Sequence, residues 1–413
     1  MTRPDATPRS RNETGTRSEA RHCRRIVGWG LLALGLLFVA WRMVRPMNIF
    51  TVSDSFARPM AVTTLPEPLA SPSAEECAGC HAEIYQEWQT SMHRQAWDDP
   101  YYQVDLHFDG DQQICLNCHI PLANQQENLV TGFRDRERWD PILVPNPGFD
   151  PLLQHEGVTC LVCHLHAGAI AGPFGGSDAP HAVVQRADAN AVCHRCHVVS
   201  GARWDTFFRL PPCGTLDEIR TTGEEADCVA CHMPAVERPA AAGAPLRPGH
   251  RHLWRGGHDP ETVRAALRVE LDEVSAGAPE RRRFALTLTN AGAAHYLPTG
   301  TPDRHLTVTF RLLDRAGHLL QVEDHRLRRA ILWRPFIVDL WDTRLPRDQP
   351  RSYTFTFATG GRHPPATLEV TVRYHLLDEA RRRRIGYQNT EPIAYDLFRR
   401  RVDVGEGTAA SPG

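Results

Sequence analysis

Five segments of the chain repeat one arrangement of cysteine and histidine: Cys77-Ala78-Gly79-Cys80-His81, Cys115-Leu116-Asn117-Cys118-His119, Cys160-Leu161-Val162-Cys163-His164, Cys193-His194-Arg195-Cys196-His197 and Cys228-Val229-Ala230-Cys231-His232. Cys-x-x-Cys-His is the attachment pattern of c-type haem. Two thiols three residues apart on one turn reach the two vinyl groups along one porphyrin edge and form thioethers. The histidine that follows turns its imidazole under the ring, toward the iron. Paired Cys-x-x-Cys also serves zinc sites and thiol redox sites, but neither explains a histidine immediately after all five pairs. The reading is five covalently attached haems c. Cys77, Cys80, Cys115, Cys118, Cys160, Cys163, Cys193, Cys196, Cys228 and Cys231 are the thioether residues, and His81, His119, His164, His197 and His232 the proximal ligands.

The opposite face of each iron needs its own ligand. Methionine would raise the potential, but Met233 adjoins a proximal histidine, which leaves only Met92. Histidine is abundant, with 21 in the chain. Beyond the motifs, His93, His107, His155, His166, His181, His194, His250, His252, His258 and His295 are available for five places. His194 lies inside a binding loop, and His166 is two residues from a proximal ligand. The best candidates stand in segments of their own: His93, His155, His181, and the pair His252 and His258. For each, an ordinary surface or core histidine is the alternative. Lysine plays no part, because all 47 basic residues are arginine; a lysine-ligated haem of the ammonia-forming nitrite reductase kind is excluded. Of the 12 cysteines, the motifs use ten. Cys23 falls in an N-terminal tail, and Cys213 reads as an inert single thiol.

Over residues 75–373 the chain resembles multihaem cytochromes c related to the tetrahaem cytochrome c of ammonia-oxidising bacteria. The resemblance rests on the first motif followed by Trp88, Ser91 and His93, and on His155 just upstream of Gly157-Val158-Thr159-Cys160. It continues through Cys231-His232-Met233-Pro234, through His252 to Gly256-Gly257-His258-Asp259, and through His295-Tyr296-Leu297-Pro298-Thr299-Gly300. It implies that His93, His155, His181 and His258 are distal ligands, with His252 and His295 beside them, so that most irons carry two histidines. The chain departs from that family in having five motifs and an appended β-region.

The proximal histidines are separated by 38, 45, 33 and 35 residues. So little chain per haem builds no conventional apolar core, so the porphyrins must be the core of residues 74–260, wrapped by short helices and loops. Residues 261–400 alternate apolar and polar positions, as in Leu267-Arg268-Val269-Glu270-Leu271 and Phe284-Ala285-Leu286-Thr287-Leu288. The runs at 306–310, 353–357 and 368–374 do the same, and Asp314-Arg315-Ala316-Gly317 supplies a turn. This predicts half-buried strands in an antiparallel β-sandwich. Residues 401–413 form a tail.

At the other end, residues 1–25 hold seven arginines and three acids. Residues 26–41 carry no charge and as a helix reach about 24 Å, short of the roughly 30 Å hydrocarbon core. Snorkelling of Arg42, with Met43 and Val44, extends the span to residues 26–44. A cleaved signal peptide is the alternative, but Phe38 sits where a small residue belongs. Arginine-rich flanks stay in the cytoplasm. The expectation is a single-pass inner-membrane helix with the haem and β-regions in the periplasm. Residues 45–73, with five prolines, read as an extended tether, and residues 237–248 as a second break.

A net charge of -2 gives no reason to expect nucleic acid as a partner. The functional expectation is a membrane-anchored, periplasm-facing pentahaem cytochrome that carries electrons between redox proteins of a respiratory chain. No catalytic residue is assigned. The competing reading is an oxidoreductase acting on a small nitrogen or sulfur compound at one open haem. A membrane-embedded quinol dehydrogenase ranks last, since Cys77 follows a long tether. Intact-mass measurement under denaturing conditions should show five haem additions, and Cys228→Ala should remove one. Fewer than five on the wild-type chain would overturn the count.

Overall fold

The computed structural model describes residues 14–44, 57–62, 64–175, 179–186, 188–197, 206–207, 210, 214–225 and 227–405. Cys213, the start of the arginine-rich tail, residues 45–56 of the proline-rich segment and residues 406–413 lie outside the described residues.

Helix α1 (Thr14–Val44) contains the apolar run. Its section His22–Val44 is long and apolar enough to cross a membrane. Arg42 does not snorkel. It is 1% exposed, donates from Nε to the Pro335 carbonyl at 2.9 Å, and lies over the Phe336 ring at 5.5 Å. A guanidinium finds better company in a carbonyl and an aromatic face supplied by the same chain than in an apolar solvent.

The expected extended tether is also corrected where it is described. Met60 bridges Leu122, its N–H donating to the Pro121 carbonyl at 2.7 Å. Met60, Val62, Leu65 and Leu69 pack on the small core of Leu122, Leu161 and Val162. Prolines prevented helix and sheet here, but the apolar residues between them still bury.

From residue 75 to 266 the α-helices run only four to nine residues. Four motifs end helices at their histidine: Gln113–His119, Cys160–His164, Asn190–His197 and Cys228–His232. His81 instead caps the start of helix Ala82–Gln89. Asp227 caps the fifth motif by accepting from Ala230 N–H at 3.0 Å. The second proline-rich stretch is no break. Ala235–Pro239 and Leu246–His250 pair as an antiparallel hairpin.

Beyond residue 266 apolar alternation dominates. The strands are β1 (Thr206–Phe207), β2 (Leu267–Val274), β3 (Arg281–Asn290), β4 (His305–Asp314), β5 (Leu319–Leu327), β6 (Arg329–Leu332), β7 (Ile337–Asp342), β8 (Arg351–Ala358), β9 (Pro365–His375) and β10 (Ala394–Asp403). One antiparallel sheet has the order β8-β3-β2 and another β5-β4-β9-β10. Alternate residues of both meet in one core: Leu286, Leu288 and Phe355 from the first sheet, and Leu306, Val308, Phe310, Val370 and Val372 from the second, all fully buried. Gly317, with φ +83, closes the β4–β5 turn. β6 and β7 form a separate hairpin to which β1 adds in parallel. Strands β5, β6, β7 and β10 carried no clean alternation. β5, for example, exposes Leu319, Leu320 and Val322 together.

Helices α2 (Pro100–Phe108) and α4 (Glu379–Ile385) join the two regions. Arg381 reaches from α4 to Asp105 at 2.6 Å and to Asp109 at 3.0 Å. Burial beside this cluster pushes the Asp303 carboxyl up to about 6. A folded value above the ordinary carboxylate range means that the folded state binds the extra proton. Stability then falls as pH rises from about 4 through about 6. Asp303→Asn should therefore melt higher than the parent at pH 8, with the difference closing below pH 4; equal melting at both pH values would contradict it.

Candidate haem-binding site

Two imidazoles bound through Nε2 to opposite faces of one metal, each at about 2 Å and with about 1.1 Å from nitrogen to ring centre, stand about 6.2 Å apart. Four motif histidines meet a second imidazole at that separation. His81 faces His181 at 6.4 Å, His197 faces His93 at 6.3 Å, His164 faces His252 at 6.2 Å, and His232 faces His295 at 6.3 Å. These gaps are too wide for ring stacking and too regular for unrelated surface residues.

Backbone carbonyls orient the rings. His81 Nδ1 donates to Ala240 at 2.5 Å, His119 to Ala96 at 2.7 Å, His164 to Ala171 at 2.7 Å and His232 to Arg255 at 2.7 Å. On the facing side, His252 donates to the His250 carbonyl at 3.0 Å and His295 to the Tyr296 carbonyl at 2.9 Å. A proton held on Nδ1 leaves the Nε2 lone pair for a metal. Burial drives His93 down to about 3 and His119 and His252 to about 4. It lowers His164, His197 and His295 as well. All are neutral at pH 7, the state in which an imidazole ligates.

The loops carrying the facing histidines are themselves clamped. Glu87 accepts both guanidinium nitrogens of Arg238 at 2.9 Å and the His252 N–H at 2.8 Å. In helix α3 (Thr215–Thr222), Glu218 is 1% exposed. It accepts from Arg344 at 2.6 Å, from the Thr299 hydroxyl at 2.6 Å and from the Tyr296 N–H at 3.2 Å. That fixes the turn beside His295.

His119 differs. Among the described residues no imidazole stands opposite it at the common separation. Its ring stacks on Tyr102 at 3.6 Å and 2°. The Tyr102 hydroxyl is buried without a hydrogen-bond partner among the described residues.

The motifs touch one another. The thiols of Cys77 and Cys160 interact directly, as do those of Cys118 and Cys196, and of Cys193 and Cys228. Cys163 feels Cys196. The first motif thus adjoins the third, the third the fourth, and the fourth both the second and the fifth. Burial pushes Cys115 and Cys163 up to about 12, while hydrogen bonding to a neighbouring motif's thiol lowers Cys77 and Cys196 and brings Cys228 down to about 6. Among the described residues no group of three His, Cys, Asp or Glu side chains is arranged to hold a bare metal ion. Buried nitrogens without partners, on His181, His194 and Arg195, line the same region. The donor set, ring separations and orphaned polar atoms all fit haem.

Of the histidines singled out in the sequence, His93, His181, His252 and His295 face a motif histidine. His155 does not. It gives Nδ1 to Asp98 at 2.5 Å and its side chain is 60% exposed. His258 is exposed; no motif imidazole faces it among the described residues. Sequence reading missed Glu87, Arg238, Glu218 and Arg344, ordinary charged residues whose role lies in what they touch. It also missed the carbonyls of Ala240, Ala171, Ala96 and Arg255, for which a sequence has no signal.

A family model described as cytochrome c554 and c-prime matches residues 76–137. No curated protein sequence matches the chain. Among solved structures, the chain is similar to a penta-heme cytochrome c552 from Thermochromatium tepidum. The two are 18% identical with a TM-score of 0.60, over 80% of this chain and 98% of that one. A chain titled ApaA from Bordetella pertussis, 14% identical, covers 33% of this chain and 89% of its own at a TM-score of 0.17, too low to carry an argument. The fold is similar to that of this solved cytochrome, and the two matches support a multihaem c-type cytochrome.

Removing the buried charge that holds the His295 turn should be costly. Glu218→Gln is expected to destabilise the protein by about 3 kcal/mol, because it leaves Arg344 short of a buried partner. It should also convert one low-spin haem signal to high spin as His295 loosens. A variant that retains every low-spin signal would leave Glu218 a purely structural residue.

Proposed function

We propose that the protein is a membrane-anchored pentahaem cytochrome c that passes electrons between redox proteins of a respiratory chain. The observation carrying this reading is the set of four facing imidazole pairs among five attachment motifs, each of which adjoins at least one other. In it, residues 74–260 are the pentahaem domain and residues 261–400, with their two antiparallel sheets, an appended β-sandwich. The ten motif cysteines hold the porphyrins by thioethers. His81 with His181, His164 with His252, His197 with His93 and His232 with His295 would hold four of the irons, and His119 would hold the fifth. When bound, haem c supplies an iron that cycles between ferric and ferrous states. The protein's own part is to bury the ligand imidazoles, to orient His81, His119, His164, His232, His252 and His295 through Nδ1, and to set the motifs side by side. Doubly held irons do not bind substrate, which favours transfer over catalysis at those four.

Helix α1 is read as the anchor, its N-terminus in the cytoplasm and the remaining domains in the periplasm. The burial of Arg42 against Pro335 and Phe336 supports retention over cleavage, since cleavage would strip the β-region of a packed partner. That no imidazole faces His119 among the described residues favours one further capacity, a small molecule reaching the fifth iron. Low-temperature electron paramagnetic resonance of the oxidised protein should show four low-spin irons and one high-spin iron. Five low-spin signals would close the fifth site, and more than one high-spin signal would break the pairing scheme.

A further inference from the structure

We propose that the β6–β7 hairpin, together with β1, is a second membrane contact that seats in the lipid boundary beside α1. This rests on the reading of α1 as a transmembrane helix. The hairpin turn is Trp333-Arg334-Pro335-Phe336. Phe336 packs on Phe38 at 6.2 Å between ring centres, and Arg334 reaches the Met43 carbonyl. Phe38 lies six residues before the helix end, about 9 Å along the axis. Residues 26–44, at about 28 Å, fill a 30 Å hydrocarbon core almost end to end when upright and centred, with the helix end within about 1 Å of the boundary. The Phe38–Phe336 contact therefore falls about 10 Å inside the hydrocarbon boundary, so the turn itself enters the membrane.

What surrounds the turn suits that depth. Trp333 (37% exposed), Trp341 (50%), Leu332 (43%), Leu340 (50%) and Phe207 (55%) all lie on this small sheet. Tryptophan favours the membrane interface, where its ring meets both acyl chains and headgroups. Such a cluster on a soluble face marks an interaction surface. Its continuity with the apolar helix selects lipid as the occupant. The hairpin is also rigid. Arg329 and Asp339 pair at 2.7 Å with side chains 4% and 6% exposed, and Arg344 pairs with Asp342 at 2.7 Å.

The contact solves a problem of length. With Arg42 taken up by Pro335 and Phe336, the uncharged surface of the helix extends from residue 41 to Val44, from about 24 Å to about 28 Å. Through Arg344 and Glu218 the same hairpin is joined to the turn of His295, so the fifth motif is the one tied to the membrane face.

The test uses the full-length, haem-loaded protein in vesicles of phosphatidylethanolamine and phosphatidylglycerol that carry a phospholipid with a photoactivatable diazirine in its acyl chain. After irradiation, mass spectrometry should find lipid on peptides from residues 26–44 and also from 329–342 and around Phe207. The exposed aliphatic edge at 319–322 should stay unlabelled. In a Trp333→Ser, Leu340→Ser, Trp341→Ser variant with full haem content, labelling around Phe207 should fall at least fivefold, with residues 26–44 unchanged. Label on residues 26–44 alone overturns the hairpin contact and leaves the anchor standing. Label on neither overturns both. Protein-to-protein crosslinks joining two copies of 329–342, without lipid, would assign the surface to a second copy of the chain and overturn the proposal.

Discussion

The gap between facing imidazoles is the constraint from which the rest of the molecule follows. Four pairs stand within 6.2–6.4 Å, and each pair joins a motif histidine to one from a distant segment. Such a gap has no dispersion contact to hold it, so the surrounding chain must hold both rims. That is why backbone carbonyls grip the Nδ1 atoms of His81, His164, His232, His252 and His295. It is also why buried ion pairs, Glu87 with Arg238 and Glu218 with Arg344, brace the loops carrying His252 and His295.

The two halves of the chain reach stability by different routes. Between residues 75 and 266, helices are short and the buried apolar residues are scattered, with Leu122, Leu161 and Val162 forming one small cluster and others such as Trp88, Ile120 and Leu153 buried outside it. Beyond residue 266, two sheets share a broad apolar interior. The β-region is not a passive appendage to the first. It supplies His295, it clamps α3 through Arg344, and α4 reaches back to α2 through Arg381. Residues from both halves complete the arrangement at the fifth motif, so neither half presents it alone.

Two stretches that composition marks as loose turn out to be structural. Residues 57–73 pack through Met60, Val62, Leu65 and Leu69. Residues 235–250 form a hairpin whose connecting residue Ala240 orients His81 and whose Arg238 holds Glu87. Proline removes a donor and restricts the backbone, but it does not prevent neighbouring side chains from burying or neighbouring carbonyls from accepting. Proline-rich segments are therefore loose only where their other residues find nothing to touch.

The attachment motifs, the exclusion of lysine chemistry, the apolar N-terminal helix and the alternating strands were legible in the sequence, because each is a local pattern with a fixed period or spacing. His93, His181, His252 and His295 could be named as candidates from their separate segments and from family resemblance. Their pairing could not, since it depends on which loop folds over which motif. His155 and His258 carried the same sequence signals, yet one turns to Asp98 and the other faces no motif imidazole among the described residues. The fate of Arg42 was likewise undecidable locally: a guanidinium at a helix end reaches for water unless the fold brings a carbonyl and an aromatic ring to it. The spacing of bonded neighbours determined what chemistry the chain can hold; long-range closure alone decided where each imidazole, arginine and apolar strand would be used.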